Sequence, residues 1–297
     1  MLLGLTADVA ARYFQVRACD AELAALEATL VTREKGFALI EQRAKAGATN
    51  EIDSARASGE LASTRAELAD VKRQREELIG VIATACGQAA SSFHLGQHRL
   101  EGAPPSLPAG LPASVLERRP DVASAERMVA ARNADIGANL AAYFPSIRLT
   151  GESGYLSKDT ATLFSSGSSV WSLGAAVAQP ITGLLVTRAK VEHARAAHAE
   201  AVANYRQAVL GAIKDVETAL SAIHYRREQV SAQTAALAAA RRANALIRAT
   251  YEAGGLTYLD LLESDRNSIL MERQSARLRA QQFVDTVTLI KALGGGW

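Results

Sequence analysis

Ser146-Ile147-Arg148-Leu149-Thr150-Gly151-Glu152-Ser153-Gly154-Tyr155 decides the fold. Its residues alternate with a period of two. Ile147, Leu149, Gly151, Ser153 and Tyr155 share one side, and the polar Ser146, Arg148, Thr150 and Glu152 share the other with Gly154, the pattern of a strand with unlike faces. A second run, Val170 to Ile181, sets Trp171, Leu173, Ala175 and Val177 against the small Ser172, Gly174, Ala176 and Ala178. The linker between them is rich in Ser, Gly and Thr, so the two runs predict a hairpin of strands about ten residues long, the length that crosses a bilayer in a tilted barrel.

Everything around this hairpin reads as helix. Upstream, Pro120 and Asp121 open a helix, because proline suits the first helical position and a carboxylate favours the positive end of the dipole. Val122, Ala125, Val129, Ile136 and Leu140 form its apolar stripe, and it ends at Phe144-Pro145. Downstream, a helix from Leu185 to Glu252 spans about 100 Å at the usual rise. Ala253-Gly254-Gly255-Leu256-Thr257 turns the chain, and a last helix returns with Leu259, Leu262, Ile269, Ala276, Phe283, Val287 and Ile290 toward Gly294.

The N-terminal part has the same construction. Val9, Val16, Leu23, Leu30 and Phe37 recur every seven residues, with Cys19, Leu26 and Ile40 in a second column, a coiled-coil seam. It stops at Ala46-Gly47-Ala48-Thr49-Asn50, where Asn50 can cap a second helix from Glu51 to Ala85 that ends at Gly87. The two helical hairpins fall into register at one constant offset. Leu3-Gly4 meets Leu210-Gly211, Asp8-Val9 meets Asp215-Val216, Ala46-Gly47 meets Ala253-Gly254, Asp53 meets Asp260, and Gly87 meets Gly294. A shift held across both arms of a hairpin indicates a duplicated unit. Met1 falls opposite Ala208, inside the second copy's long helix, so the expectation is a counterpart helix and strand pair upstream of this chain.

The segments expected are therefore 1–87, a first and incomplete helical hairpin; 88–119, an equatorial connecting segment with Pro104, Pro105, Pro108 and Pro112; 120–145, a helix leading to the strands; 146–181, the transmembrane β-hairpin; and 182–297, the second helical hairpin with the C-terminal end. The fold class is mainly α with a small β part. Two strands alone would leave backbone groups unpaired in hydrocarbon at several kcal/mol each, so identical copies must close a barrel together. The helical pairs likewise bury a seam but not their flanks, and a ring of them forms an α-barrel. The physical object is a duct.

Composition narrows the function. The 297 residues are 48% hydrophobic, 22% charged and 5% aromatic, with a formal net charge of +2. That balance suits long helices and offers no case for nucleic acid, and interleaved Lys, Arg, Asp and Glu read as solvated helix faces. No run of 18 apolar residues exists to form a membrane-spanning helix. Residues 1–20 read as amphipathic helix, which places any export signal or lipidated cysteine upstream. Cys19 and Cys86, the two thiols, read as small buried hydrophobes. No nucleophile and base pair, phosphate loop or zinc signature appears, and the spacing of His94 and His98 lacks a third ligand, so no enzyme activity, metal or cofactor is expected.

Leu111-Pro112-Ala113-Ser114-Val115-Leu116-Glu117-Arg118-Arg119-Pro120-Asp121-Val122, then Ala125-Glu126, Ile136-Gly137 and Tyr143-Phe144-Pro145-Ser146-Ile147-Arg148-Leu149-Thr150-Gly151, resemble the outer-membrane factor (TolC-like) efflux channel family in its NodT-like lipoprotein branch. Trp171-Ser172-Leu173-Gly174, Gln179-Pro180-Ile181, Tyr258-Leu259-Asp260-Leu261-Leu262-Glu263 and Lys291-Ala292-Leu293-Gly294-Gly295-Gly296-Trp297 are similar to it as well. Thr182-Gly183-Leu184 stands where the family usually has Asp-Gly-Gly. The resemblance implies a homotrimer with a β-barrel in outer-membrane lipid and an α-helical tunnel across the periplasm. It also implies a periplasmic adaptor (membrane fusion) protein and an inner-membrane efflux pump as partners. It places a channel gate at Asp260, Glu263, Asp53 and Tyr251, with Leu256 where some members carry a basic gate residue. Adaptor docking falls on the turns holding Gly47 and Thr49, and Gly254, Gly255, Leu256 and Thr257. Tyr155 and Trp171 are expected at the membrane interface. Dipole-compensating acids at a helix start are the plain alternative for Asp260 and Glu263. The alternative for the whole chain is a non-membrane coiled-coil scaffold or an adaptor-type helical hairpin, which has no use for a two-faced strand pair of bilayer length.

Overall fold

The computed structural model describes residues 2–46, 50–105, 118–179 and 181–295. Five long helices and one strand pair follow in the order α1 (Leu2–Lys45), α2 (Glu51–Ala85), α3 (Pro120–Ala141), β1 (Ser146–Tyr155), β2 (Ser169–Ala178), α4 (Leu184–Glu252) and α5 (Tyr258–Ala292). They fall into two compact units, Met1–Arg119 with Ala212–Trp297, and Pro120–Gly211.

In the first unit α1 and α2 pack antiparallel along the expected seam. Val16, Leu23 and Leu26 are almost fully buried, and Cys19, Leu23 and Leu26 cluster with Val71 of α2. A second cluster joins Val16 to Ile79 and Ile82, with Phe93 and Leu95 of the connecting segment laid over it. Each buried leucine contributes about 1.5 to 3 kcal/mol, so a seam one or two side chains wide suffices to hold the pair. Helix α5 also packs on α1, where the Phe14 and Phe283 rings stack with centroids 4.8 Å apart. Helix α4, from Ala212 onward, packs on α5 through Val216, Ala219, Leu289, Ala292 and Leu293.

The ends of these helices follow from local chemistry. Asn50 caps α2, its side chain accepting the Ile52 N–H at 3.2 Å. After α4, Gly254 takes φ +82°, and the N–H groups of Gly254 and Gly255 bond back to the Tyr251 and Thr250 carbonyls at 2.9 Å each. That paired closure needs a left-handed residue, which glycine supplies without strain. Gly294 ends α5 in the same way at φ +87°, as its repeat partner Gly87 ends α2 at φ +71°.

In the second unit β1 and β2 pair antiparallel from Ser146↔Ala178 to Tyr155↔Ser169. β1 has its expected bounds. β2 ends at Ala178 rather than Ile181, because its partner strand begins after Pro145, which has no N–H to give the ladder. Similarly α3 closes at Ala141, three residues before the expected end. The N–H groups of Ala142, Tyr143 and Phe144 bond to carbonyls three residues back, a tightening enforced ahead of Pro145. On α4 within this unit, Thr187, Val191, Ala194 and Ala201 form a narrow buried stripe. The α3 stripe is graded, with Val122 buried, Ala125, Val129 and Ile136 half-buried, and Leu140 exposed.

Cys19 is buried as expected, and its thiol is pushed up first by burial and then by Glu22 and Asp20, which keeps it neutral. Cys86 departs from expectation. It sits one residue past the last turn of α2 and is exposed.

Candidate channel: strand pair, helical tip and ionic ladder

The register sorts the strand pair into two faces. Ile147 lies opposite Val177, Leu149 opposite Ala175, Gly151 opposite Leu173 and Ser153 opposite Trp171, so the apolar sides of both strands coincide. Leu149 and Leu173 are 79% and 78% exposed, far more than water tolerates for adjoining leucines unless something apolar covers them. On the opposite face Arg148, Thr150 and Glu152 stand across from Ala176, Gly174 and Ser172. Tyr155 and Trp171 both lie toward the loop end of the hairpin, and the Tyr155 ring meets Phe164 edge-on at 5.5 Å.

At the α4–α5 turn, Asp260 is committed to its own helix. Its carboxylate accepts from the Thr257 hydroxyl at 2.6 Å and from the Thr257 N–H at 2.9 Å, while the Thr257 hydroxyl oxygen accepts from the Asp260 N–H at 3.3 Å. This reciprocal cap satisfies two otherwise orphaned donors. It holds the Asp260 carboxyl below its ordinary range, first through the Thr257 hydroxyl and then through the backbone N–H. A depressed carboxylate stabilises the cap at pH above the ordinary carboxylate range, and that stabilisation is lost as pH falls through the lowered value.

Glu263 is exposed, one turn further along α5. Asp53 lies in the first turn of α2, its N–H bonded to the Asn50 carbonyl at 3.1 Å and its carboxylate 3.9 Å from Arg56. The Tyr251 ring is half-buried, 6.2 Å from that of Tyr258. Burial pushes the Tyr258 hydroxyl up, with Tyr251 adding to the effect. Gly254, Gly255, Leu256 and Thr257 are exposed and form the turn itself, whereas Gly47 and Thr49 lie outside the described residues.

An ionic ladder, not foreseen from sequence, ties the hairpins together. The Asp20 carboxylate, deeply buried, accepts from Arg17 at 2.6 Å, from Arg75 of α2 at 2.7 Å and from the His98 N–H at 3.2 Å. The same two arginines donate to the Gly96 and Leu95 carbonyls at 2.6 Å each, which straps the connecting segment to the helices. Between α1 and α5, Glu22 accepts from Arg277 at 2.5 and 2.8 Å and from Arg273 at 3.2 Å. Arg273 also reaches Glu67, and Glu60 receives both Arg33, at 3.0 Å, and Arg266. The Arg266 hydrogen bond, with Arg33 beside it, holds the Glu60 carboxyl low against the opposing effect of burial.

Toward α4 the signs on α5 reverse. Asp265, Glu272 and Asp285 pair with Arg248, Arg241 and Arg226. Helix α5 thus carries arginines on one side and carboxylates on the other, which fixes its register between α1 and α4. The signal available in sequence was the heptad spacing of Arg266 and Arg273 and of Asp265 and Glu272, although their partners lie on distant helices.

A two-faced strand pair of bilayer length is carried here with long antiparallel helical hairpins. The chain belongs to the Outer membrane efflux protein family, whose profile matches residues 2–87 and 111–295. It is 35% identical over 297 residues to outer membrane protein OprJ of Pseudomonas aeruginosa, covering 99% of this chain and 62% of OprJ. It is 31% identical over 298 residues to the cation efflux system protein CusC of Escherichia coli, covering 99% and 64%. The chain thus spans less than two thirds of these curated relatives. Among solved structures, the outer-membrane channel OprN superposes with a TM-score of 0.89 at 30% identity, covering 99% of this chain and 67% of that one. The open state of the Neisseria gonorrhoeae MtrE outer membrane channel superposes at 0.84 and 30%, covering 99% and 66%. Of these, CusC is named for cation efflux, and OprN and MtrE as outer-membrane channels.

Proposed function

We propose that the protein is the outer-membrane channel of a tripartite efflux system, a passive exit duct for small molecules handed over by an inner-membrane pump and a periplasmic adaptor. The observation that carries this reading is the register of β1 and β2. It puts Ile147, Leu149, Leu173, Val177 and Trp171 on one exposed face and Arg148, Thr150 and Glu152 on the other. An apolar outer face and a polar inner face are what a lipid-embedded, water-filled barrel requires. The backbone edges of a lone hairpin cannot be left open in hydrocarbon, so copies of the chain assemble, as a homotrimer, to close the wall.

In this reading the α4–α5 turn at Gly254, Gly255, Leu256 and Thr257, with its repeat partner at Gly47 and Thr49, faces the adaptor. Asp260 and Glu263 ring the narrowed entrance, and Asp53 and Tyr251 help to hold it closed. The acidic ring favours cations at the entrance, and the Thr257 cap favours the ionised form of the Asp260 carboxyl. Segments 88–119 and 120–145 act as the belt and the lead-in to the barrel, and the protein carries out no covalent chemistry.

Extraction of outer membranes in mild detergent, followed by mass measurement, tests the proposal. A heat-resistant species of three chains in the outer-membrane fraction is expected. A soluble monomer outside that fraction defeats the reading in favour of a scaffold.

A further inference from the structure

The polar face of the strand pair is nearly bare. β2 contributes only Val170, Ser172, Gly174, Ala176 and Ala178 to it, and β1 contributes Ser146, Thr150 and Gly154 besides two long side chains, Arg148 and Glu152. At Gly174 the space is also limited, since a Cβ there would come within 2.8 Å of the Thr150 hydroxyl oxygen, which would have to move. Arg148 stands opposite Ala176 and Glu152 opposite Ser172, so neither has a cross-strand side chain to lean on or pair with. Both are exposed, and neither makes an ion pair among the described residues. They lie four residues apart on one strand, about 13 Å, too far to neutralise each other.

Resting on the channel reading above, we infer that Arg148 and Glu152 are specificity-determining residues of the exit barrel. Each forms a ring of like charge that biases which ions and charged solutes pass. Arg148, at the end near α3, favours anionic groups. Glu152, nearer the loop end, favours cationic ones. Because the wall between them carries only small side chains, no other group on the polar face of the two strands reaches as far toward the axis or masks either charge.

The test is ion selectivity of the whole protein, purified from outer membranes and placed in planar bilayers under a KCl gradient. E152K is expected to move the cation-to-anion permeability ratio toward anions and R148E toward cations, each by roughly twofold at 0.1 M salt and fading near 1 M, where screening shortens to about 3 Å. E152Q and R148Q are expected to give smaller shifts of the same signs, and neither position packs against anything whose loss would unfold the hairpin. Pores whose ratio is unchanged in both reversed variants overturn this inference and leave the channel reading standing. No pore from the unaltered protein overturns the channel reading and the inference with it.

Discussion

Asp20→Ala is expected to destabilise the helical unit by about 3 to 5 kcal/mol, the range for stripping one partner from a buried ionic cluster. The carboxylate is 2% exposed and sits between two guanidinium groups that are themselves 3% and 9% exposed. Without it, Arg17 and Arg75 become buried like charges, and the His98 N–H loses its acceptor. The strap at Leu95 and Gly96 depends on those arginines being held in place, so it loosens together with the helices. Among the described residues the Arg17 Nε has no hydrogen-bond partner even in the intact cluster, so the cluster is incompletely satisfied. Replacing all three residues together, Asp20→Leu with Arg17→Met and Arg75→Met, is therefore expected to recover most of the loss. Denaturant titration in detergent, with limited proteolysis near residues 94–98, measures both effects. A single-variant change below about 1 kcal/mol would mean the cluster behaves as an exposed ion pair.

The second large effect separates the two faces of the strand pair. Leu173→Arg puts a cation on the apolar face near the middle of β2, where it pairs with Gly151. In a lipid-embedded barrel such a charge costs about 2 to 4 kcal/mol at the bilayer midplane. Ser172→Arg, one residue earlier, projects from the opposite face and is expected to assemble normally. The measurement is the yield of heat-resistant oligomer in the outer-membrane fraction, greatly reduced for Leu173→Arg and unchanged for Ser172→Arg. Equal yields for the two would mean that neither face meets lipid.

How much of this was legible in the residues differs by element. β1 was readable to the residue because strict alternation begins after a proline and ends at Tyr155. α2 was readable because an Asn cap and a glycine stop bracket it. Register was harder: β2 consists largely of Ala, Ser and Gly, which fit either face, and only pairing with β1 fixed which sides coincide. The ionic ladder escaped altogether. Interleaved charges suggest solvated faces, yet Arg17, Asp20, Glu22, Glu60, Arg75 and Asp285 are all buried. They are covered by neighbouring helices and the connecting segment, in most cases from far along the chain, which the periodicity of a single helix does not encode. At the tip, Asp260 has two sequence readings, a gate residue implied by the family resemblance and a dipole-compensating acid at the start of a helix. The cap is visible in the structure, and the proposed gate would need neighbouring copies. Capping and gating are compatible because the cap uses one carboxylate oxygen and fixes where the charge sits.

The central claim is that copies of this chain enclose a continuous passage, with the strand pairs forming its wall in lipid and the helical hairpins its wall outside. Single-particle imaging of the detergent-extracted oligomer, viewed along its symmetry axis, tests it most directly. The account predicts a threefold ring with an open centre running from the detergent belt through the helical part. A particle that is solid along that axis, or a lone chain with no ring, would contradict it.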